Sequence, residues 1–466
     1  MKNQTLLLLV IALLLVNTAF SQQNFTLYNM EKVSQRMNLN PAFKPSHTFL
    51  NIGIPVLSSQ YINVNNSGFK YSDLIKHRAD DSLYMDYNNM LSKLKKKNYI
   101  SMAYQTELIS FGIALPKSFL SFNVTEKINF RFRYPKAFME FIWKGNGEFL
   151  NQDMNFNFGV SLMHYREYGL GYVYDINDKL TIGGKIKYLY GMENVYTERS
   201  AISMYTNAND FAITAKSDVL IHTSGVNSAS TKNIQIGNYA FNRNNHGMGL
   251  DIGAVYKLNE KIALSLSVID MGAIKWKNAT DNYISHNPNA TFTYKGFDIS
   301  KLINNDSTNA KDAFKSLTDS LTQVFKIDTL HHSYSTNLSS QIYIGGNYSL
   351  TEKSNVGVLL YGQVLDKVIH PGVAFSFNQK VGEWFSVSAS YSMYNRSYTN
   401  IGLGTAFNLG PVQLYIITDN VMGVLFPQNT KNLHFQGGIQ LTFGKKSAKA
   451  ATPAAAETPS PPKPAQ

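Results

Sequence analysis

The stretch Asn432–Gly444 reads NLHFQGGIQLTFG. Its odd positions carry Leu433, Phe435, Gly437, Ile439, Leu441 and Phe443; its even positions carry Asn432, His434, Gln436, Gly438, Gln440 and Thr442. A period of two gives a strand with one apolar and one polar face, ending on an aromatic. Soluble sandwiches also contain such strands, so the decision comes from the surroundings: a leader, no cysteine, and many similar segments. Together they predict an all-β chain, a transmembrane antiparallel barrel of about 14 strands in a Gram-negative outer membrane.

The pattern recurs upstream as hairpins. Tyr168, Leu170, Tyr172, Tyr174 and Ile176 share a face, turn at Asn177-Asp178-Lys179, and return along Leu180, Ile182, Gly184, Ile186, Tyr188 and Tyr190. Each arm is long enough to cross a bilayer when tilted. Similar pairs turn at Leu258–Lys261, Thr351–Asn355, Gln379–Gly382 and Gly410-Pro411, and another flanks Pro116-Lys117. Leu50, Ile52 and Ile54 mark the first strand. These turns are short, whereas the alternate connections are often long, as expected for short periplasmic turns and longer outside loops.

Residues 1–21 read as a secretory leader: Lys2, the apolar run Leu6–Val16, and Ala19-Phe20-Ser21 before the cut at Gln22. The apolar run is too short to span a bilayer comfortably, so strands must do the spanning. Cysteine is absent from all 466 residues, which removes a disulfide framework, a thiolate metal site and a lipidated cysteine. Twenty-eight Tyr and 28 Phe suit interfacial girdles. The net charge of +12 is spread thinly with no nucleic-acid motif, so it points to lipopolysaccharide or to soluble loops.

The expected organisation is a leader (1–21), a hatch or plug segment (22–47), a barrel (48–444) and a disordered Pro/Ala-rich tail (445–466). Long outer loops are expected at about 56–104, 126–163, 191–247 and 270–340, with helices over Tyr84–Lys97 and Ala310–Ile327. An even strand count puts both termini in the periplasm.

No catalytic, cofactor-binding or metal-binding constellation emerges, and the chain is read as a non-enzyme. Gly183-Gly184-Lys185 lacks the spacing of a phosphate loop, and Gly247, Gly249 and Gly253 sit in a strand, where close packing on the lumen side explains them. His331-His332 read as a solvated pair. With the apolar faces toward lipid, the lumen receives Lys185, Lys187, Asp251, Ser386, Ser388, Ser390 and Ser392. Phe443 is the candidate C-terminal insertion signal. Expected partners are outer-membrane lipid and lipopolysaccharide, and the barrel-assembly machinery during insertion.

Asn38-Leu39-Asn40-Pro41-Ala42-Phe43 follows the leader and precedes the strands. In this the chain resembles the long-chain fatty-acid transporter family of outer-membrane barrels and the related secretion-associated barrels. With Thr106–Pro135, Gly171–Gly191 and Gly410–Asn420, it is similar to an uncharacterised Bacteroidota barrel family. The resemblance implies that Asn40, Pro41 and Ala42 belong to a hatch inside the barrel, and that ligand leaves sideways through a kinked strand. Two readings stay open: uptake of hydrophobic small molecules, or a non-transporting envelope scaffold or secretion partner. The first demands an apolar path past the hatch and a break in the wall; the second demands a sealed lumen and a protein companion. An open porin fits less well, because residues 22–46 obstruct the pore.

Overall fold

A computed structural model describes residues 24–45, 48–226, 245–294, 323–365, 368–394 and 397–444. The leader, the tail and most of the expected helix over Ala310–Ile327 lie outside them. Fifteen strands build the wall: β1 Thr48–Gly53, β2 Gln60–Asn66, β3 Lys97–Ala114, β4 Ser118–Pro135, β5 Gly159–Asp175, β6 Leu180–Thr206, β7 His246–Lys257 and β8 Ile262–Trp276. They continue with β9 Gln341–Ser349, β10 Ser354–Leu365, β11 Val368–Val381, β12 Phe385–Tyr394, β13 Ser397–Leu409, β14 Val412–Thr418 and β15 Asn432–Gly444.

From β3 to β15 each strand pairs antiparallel with the next. Both β1 and β2 lie between β3 and β15, so together they fill one wall position. The result is a closed 14-stranded barrel. Among the described residues every wall strand has a partner on both sides, as lipid, which offers the backbone no hydrogen bonds, requires.

The barrel is inside-out relative to a soluble protein. In β15, His434 and Gln440 are 0% exposed and face the lumen, while Phe435 and Phe443 are each 40% exposed on the outside. Phe122, Leu170, Ile186, Leu266, Leu360, Phe377 and Leu403 are likewise exposed. A ring of outward apolar side chains on strands that bury amides and carboxylates is the arrangement a bilayer stabilises.

One end of the barrel carries tight turns at 115–117, 176–179, 258–261, 350–353, 382–384 and 410–411. At the other end the described residues include the long segments 67–96 and 136–158 and the stretches 207–226, 277–294 and 323–340. The strands run further outward than hydropathy alone suggests: β2 and the start of β3 fall within 56–104, β4 reaches Pro135, β5 begins at Gly159 and β6 continues to Thr206. Beyond the lipid band both faces of a strand meet water, so pairing persists after the apolar alternation has faded. The strands Ile213–Ser224, Thr280–Ser285 and Tyr334–Asn337 extend this side of the wall by pairing with β6, with one another and with β8. The helix expected over Tyr84–Lys97 is shorter, Tyr87–Lys93, capped at its start by the Asp86 carboxylate.

Candidate functional site: the hatch and the charged lumen

Residues 24–45 lie inside the barrel. A single helical turn, Phe25–Tyr28, is followed by a 3-10 turn, Ser34–Asn38. The first turn is held by the Asp419 carboxylate, which accepts from the amides of Phe25 at 3.0 Å and Thr26 at 2.9 Å. These are two of the amides a helix start leaves unpaired, so a carboxylate there both satisfies and attracts them. Thr26 Oγ1 lies 2.7 Å from Ser390 Oγ, and Asn29 donates to Ser376. Burial raises the Tyr28 phenol above its ordinary value, so it stays neutral beside Ser265. At the tight-turn end Glu31 pairs with Lys380 at 2.6 Å, Lys44 pairs with Asp175, and Lys32 donates to the carbonyls of Gly382 and Glu383.

Asn40, Pro41 and Ala42 form a tight corner against β6, β7 and β8. Asn40 Oδ1 accepts from the Ala42 amide at 2.9 Å, while its Nδ2 points to the carbonyls of Ala254 and Leu266. A Cβ built on Gly183 would collide with the Pro41 carbonyl, and one on Gly253 with Asn40. Glycine at these two inward positions lets the hatch backbone touch the wall.

The inner wall has two chemically different sectors. On β9–β14, Tyr343, Leu359, Tyr361, Ala374, Tyr394, Ala406, Tyr415 and Ile417 are buried in one cluster with Phe25, Leu27, Tyr28, Met30 and Phe43 of the hatch. Tyr28 stacks on Tyr343 at 5.4 Å, and Phe25 meets Tyr361 and Tyr394 edge-on. On β4–β8 the wall is charged. Lys187 Nζ lies 2.7 Å from Asp251, 2.6 Å from Asp270 and 3.4 Å from Glu167; Lys127 lies 2.7 Å from Glu167. A bulge between β7 and β8 lets the Asp270 amide donate to Asp251 at 2.7 Å. Lys185 reaches across to Asn38 of the hatch at 2.7 Å.

Lys185, Lys187 and Asp251 thus line the lumen together. Ser388, Ser390 and Ser392 are buried inward-facing side chains on β12, and Ser386 is half-buried beside hatch residues Asn29–Lys32. Lys127, Glu167 and Asp270 complete the charged cluster and were missed in the sequence, because Lys127 and Asp270 fall where loops were expected at 126–163 and 270–340 and Glu167 precedes the alternation that starts at Tyr168, whereas all three lie in strands. Their inward placement follows from strand parity once register is known. A cavity of about 50 Å³ remains between this sector and the hatch, lined mostly by polar groups together with Leu27, Leu39 and Ile269. It has room for a few waters. Among the described residues no group of three or more His, Asp or Glu is placed to hold a metal ion. His331 faces Asp281 and the Thr280 carbonyl at the end of the barrel opposite the tight turns.

The first wall position is interrupted. Between β1 and β2 the chain leaves the ladder at 54–59, with Val56 and Leu57 exposed outside and Ser58 and Ser59 buried inside. Ser58 Oγ donates to Glu107 at 2.7 Å, and hatch residue Gln35 donates to the Ser58 carbonyl and to Gln440. A bulge in β3 at Glu107–Ile109 sits opposite.

A family model described as "Family of unknown function (DUF5723)" matches residues 41–419. The chain belongs to this family. No curated protein matches the chain. Among solved structures, the chain is similar to the Pseudomonas putida toluene transporter TodX, at 9% identity and a TM-score of 0.38 over 88% of this chain and 92% of that one. For the Ralstonia pickettii toluene transporter TbuX the values are 8% and 0.42, over 88% and 94%. For a Pseudomonas aeruginosa FadL homologue they are 8% and 0.40, over 92% and 100%. Likenesses this loose concern architecture only; closure of this barrel rests on its own strand pairing.

Proposed function

We propose that the protein sits in a Gram-negative outer membrane and admits small hydrophobic molecules when its hatch moves. The observation that carries this reading is the apolar sector of β9–β14. Its inward Leu, Ile and Ala side chains and Tyr rings are covered by Phe25, Leu27, Tyr28, Met30 and Phe43 of the hatch, while the Tyr343, Tyr361, Tyr394 and Tyr415 hydroxyls donate to Gln341, Gln363 and the Ser58 carbonyl. Withdraw those side chains and an aromatic-lined surface opens that an acyl chain or aromatic solute would cover equally well. The interruption at 54–59 supplies the matching feature in the wall, where the regular ladder gives way to isolated backbone bonds with Glu107, Leu108 and Ile439 and to hydrogen bonds of Gln35 and Ser58 on the inside.

The test locks the hatch. Thr26→Cys with Ser390→Cys replaces two hydroxyls 2.7 Å apart in a chain with no native cysteine. Oxidised, the variant should lose uptake of a labelled fatty acid or aromatic hydrocarbon; reduced, it should regain it. Uptake equal in cells with and without the protein would overturn the proposal. A sealed scaffold is the second reading, favoured by the small polar cavity. It predicts a stoichiometric envelope protein bound equally to locked and unlocked forms.

A further inference from the structure

The polar cavity lies where the hatch meets the interrupted wall position, and its charges do not balance. Its lining carries four carboxylates (Glu107, Glu167, Asp251 and Asp270) against three ammonium groups (Lys127, Lys185 and Lys187). Glu167, Asp251 and Asp270 are each within 2.7 Å of a lysine. Glu107 differs: it is 4% exposed, accepts from Ser58 Oγ, and among the described residues has no cation within 4 Å. Two amides border the same cavity with an acceptor to spare. Gln35 of the hatch and Gln436 of β15 are 4% and 5% exposed, and among the described residues the Oε1 of each accepts no hydrogen bond. A relay of amides fixes which way Gln35 is turned. The Lys32 carbonyl accepts from Gln413 Nε2 at 2.8 Å, Gln413 Oε1 accepts from Gln440 Nε2, and Gln440 Oε1 accepts from Gln35 Nε2 at 2.9 Å. The Ser58 carbonyl, another acceptor, lies 3.2 Å from the same nitrogen. Turning the Gln35 amide over would set oxygen against two oxygens, so its free atom is an acceptor and not an N–H.

A buried carboxylate without a cation, beside acceptors without donors, is costly. Water can donate to these oxygens but brings no charge. One positive charge neutralises the lining, whereas a divalent ion overshoots beside three lysines and, like calcium, asks for six or more oxygens. A carboxylate and two amide oxygens are hard donors, which disfavours the softer transition metals. We infer that this cavity is a monovalent-cation site, in which sodium or potassium joins Gln35 of the hatch to Glu107 and Gln436 of the wall. The Ser58 carbonyl accepts from Gln35 and its hydroxyl donates to Glu107, so the ion braces the hatch at the break between β1 and β2. Hatch seating is then cation-dependent. The inference needs only a seated hatch and stands apart from the uptake reading.

The experiment uses the Thr26→Cys/Ser390→Cys pair as a reporter of seating in the full chain, purified in mild detergent, with heat-modifiable gel mobility as the check on barrel assembly. At constant ionic strength, replacing sodium or potassium chloride by N-methylglucamine chloride should slow cross-linking at least about fivefold, and adding sodium back should restore it along a saturating curve. The sodium-23 resonance should broaden in the presence of the protein and sharpen when potassium competes. Glu107→Gln should cross-link equally in all three salts and leave the sodium line sharp. Gln436→Leu, which removes an amide oxygen and no charge, should raise the sodium concentration for half-maximal cross-linking several-fold. Equal cross-linking of the parent pair in all three salts would overturn the proposal: if insensitive to pH, it assigns the cavity to water, and if rising as pH falls, to a proton among the carboxylates. A salt effect of the same size in Glu107→Gln would also overturn it, because the ion would then act elsewhere.

Discussion

Asp419 shows how much a single lumen residue does. Its carboxylate is 0% exposed, accepts two hatch amides, and its own amide donates to His434 Nδ1. Asp419→Asn turns one acceptor oxygen into an amino group facing an N–H donor and removes the charge. Hydrogen bonds to charged groups contribute roughly 1.5–3 kcal/mol, so the hatch should loosen by about that much while the barrel still assembles. Cross-linking of the 26–390 cysteine pair measures it. Gly183 makes the steric counterpart: valine there would strike the Pro41 carbonyl, and overpacking of this kind costs about 1–3 kcal/mol. Gly183→Val should therefore unseat the hatch corner, raise ion conductance in planar bilayers, and leave heat-modifiable mobility unchanged. Glycines opposite the apolar face were readable as close-packing positions, because nothing else explains their place on a strand. Asp419 was not, since its partner Phe25 lies 394 positions away. Local pattern carries no information about that pairing.

At the scale of elements, alternation made most wall strands visible, and it failed at the first. Leu50, Ile52 and Ile54 read as one strand, with everything from about 56 to 104 beyond it as loop. Instead the wall resumes at β2 after an excursion in which Val56 has a φ of 66°. A β-branched residue is strained there, by about 1–2 kcal/mol relative to a permitted conformation. Val56→Gly should relieve much of that and raise the thermal midpoint of the purified barrel in detergent; a fall would mean that the Val56 side chain is held by lipid contact more strongly than its backbone is strained. β15, by contrast, was legible in full: its polar residues face in and its apolar residues face out as alternation requires. Phe443→Asp places a charge on the outward face at the closing strand, where it pairs beside β1. Charges on the lipid face are destabilising in a depth-dependent way. Surface levels of that variant should fall, and normal levels would contradict the lipid-facing assignment of Phe443.

At the scale of the whole molecule, the barrel is a cylinder with two unlike inner halves, and the hatch is matched to both. Its aromatic side packs on β9–β14, while Gln35, Asn38 and Asn40 face polar groups of the wall. The charged half is also what ties β4, β5, β6, β7 and β8 together, since Lys127, Glu167, Lys187, Asp251 and Asp270 come one from each. Such a network is weak evidence of net stabilisation, because taking the charges out of water offsets most of their attraction. Removing one partner is a different matter. Lys187→Met strips the nearest cation from Asp251 and Asp270, both within 2.7 Å of it, and leaves those carboxylates buried. Breaking a buried pair this way costs about 3–5 kcal/mol, whereas replacing the pair by apolar groups of similar volume is often neutral. Lys187→Met should therefore lower the urea midpoint of the purified barrel markedly, and Lys187→Met with Asp251→Leu should recover part of the loss. If instead the double variant is less stable than either single one, the cluster is held by mutual reinforcement across all five strands, and the charged sector is the keystone of the wall.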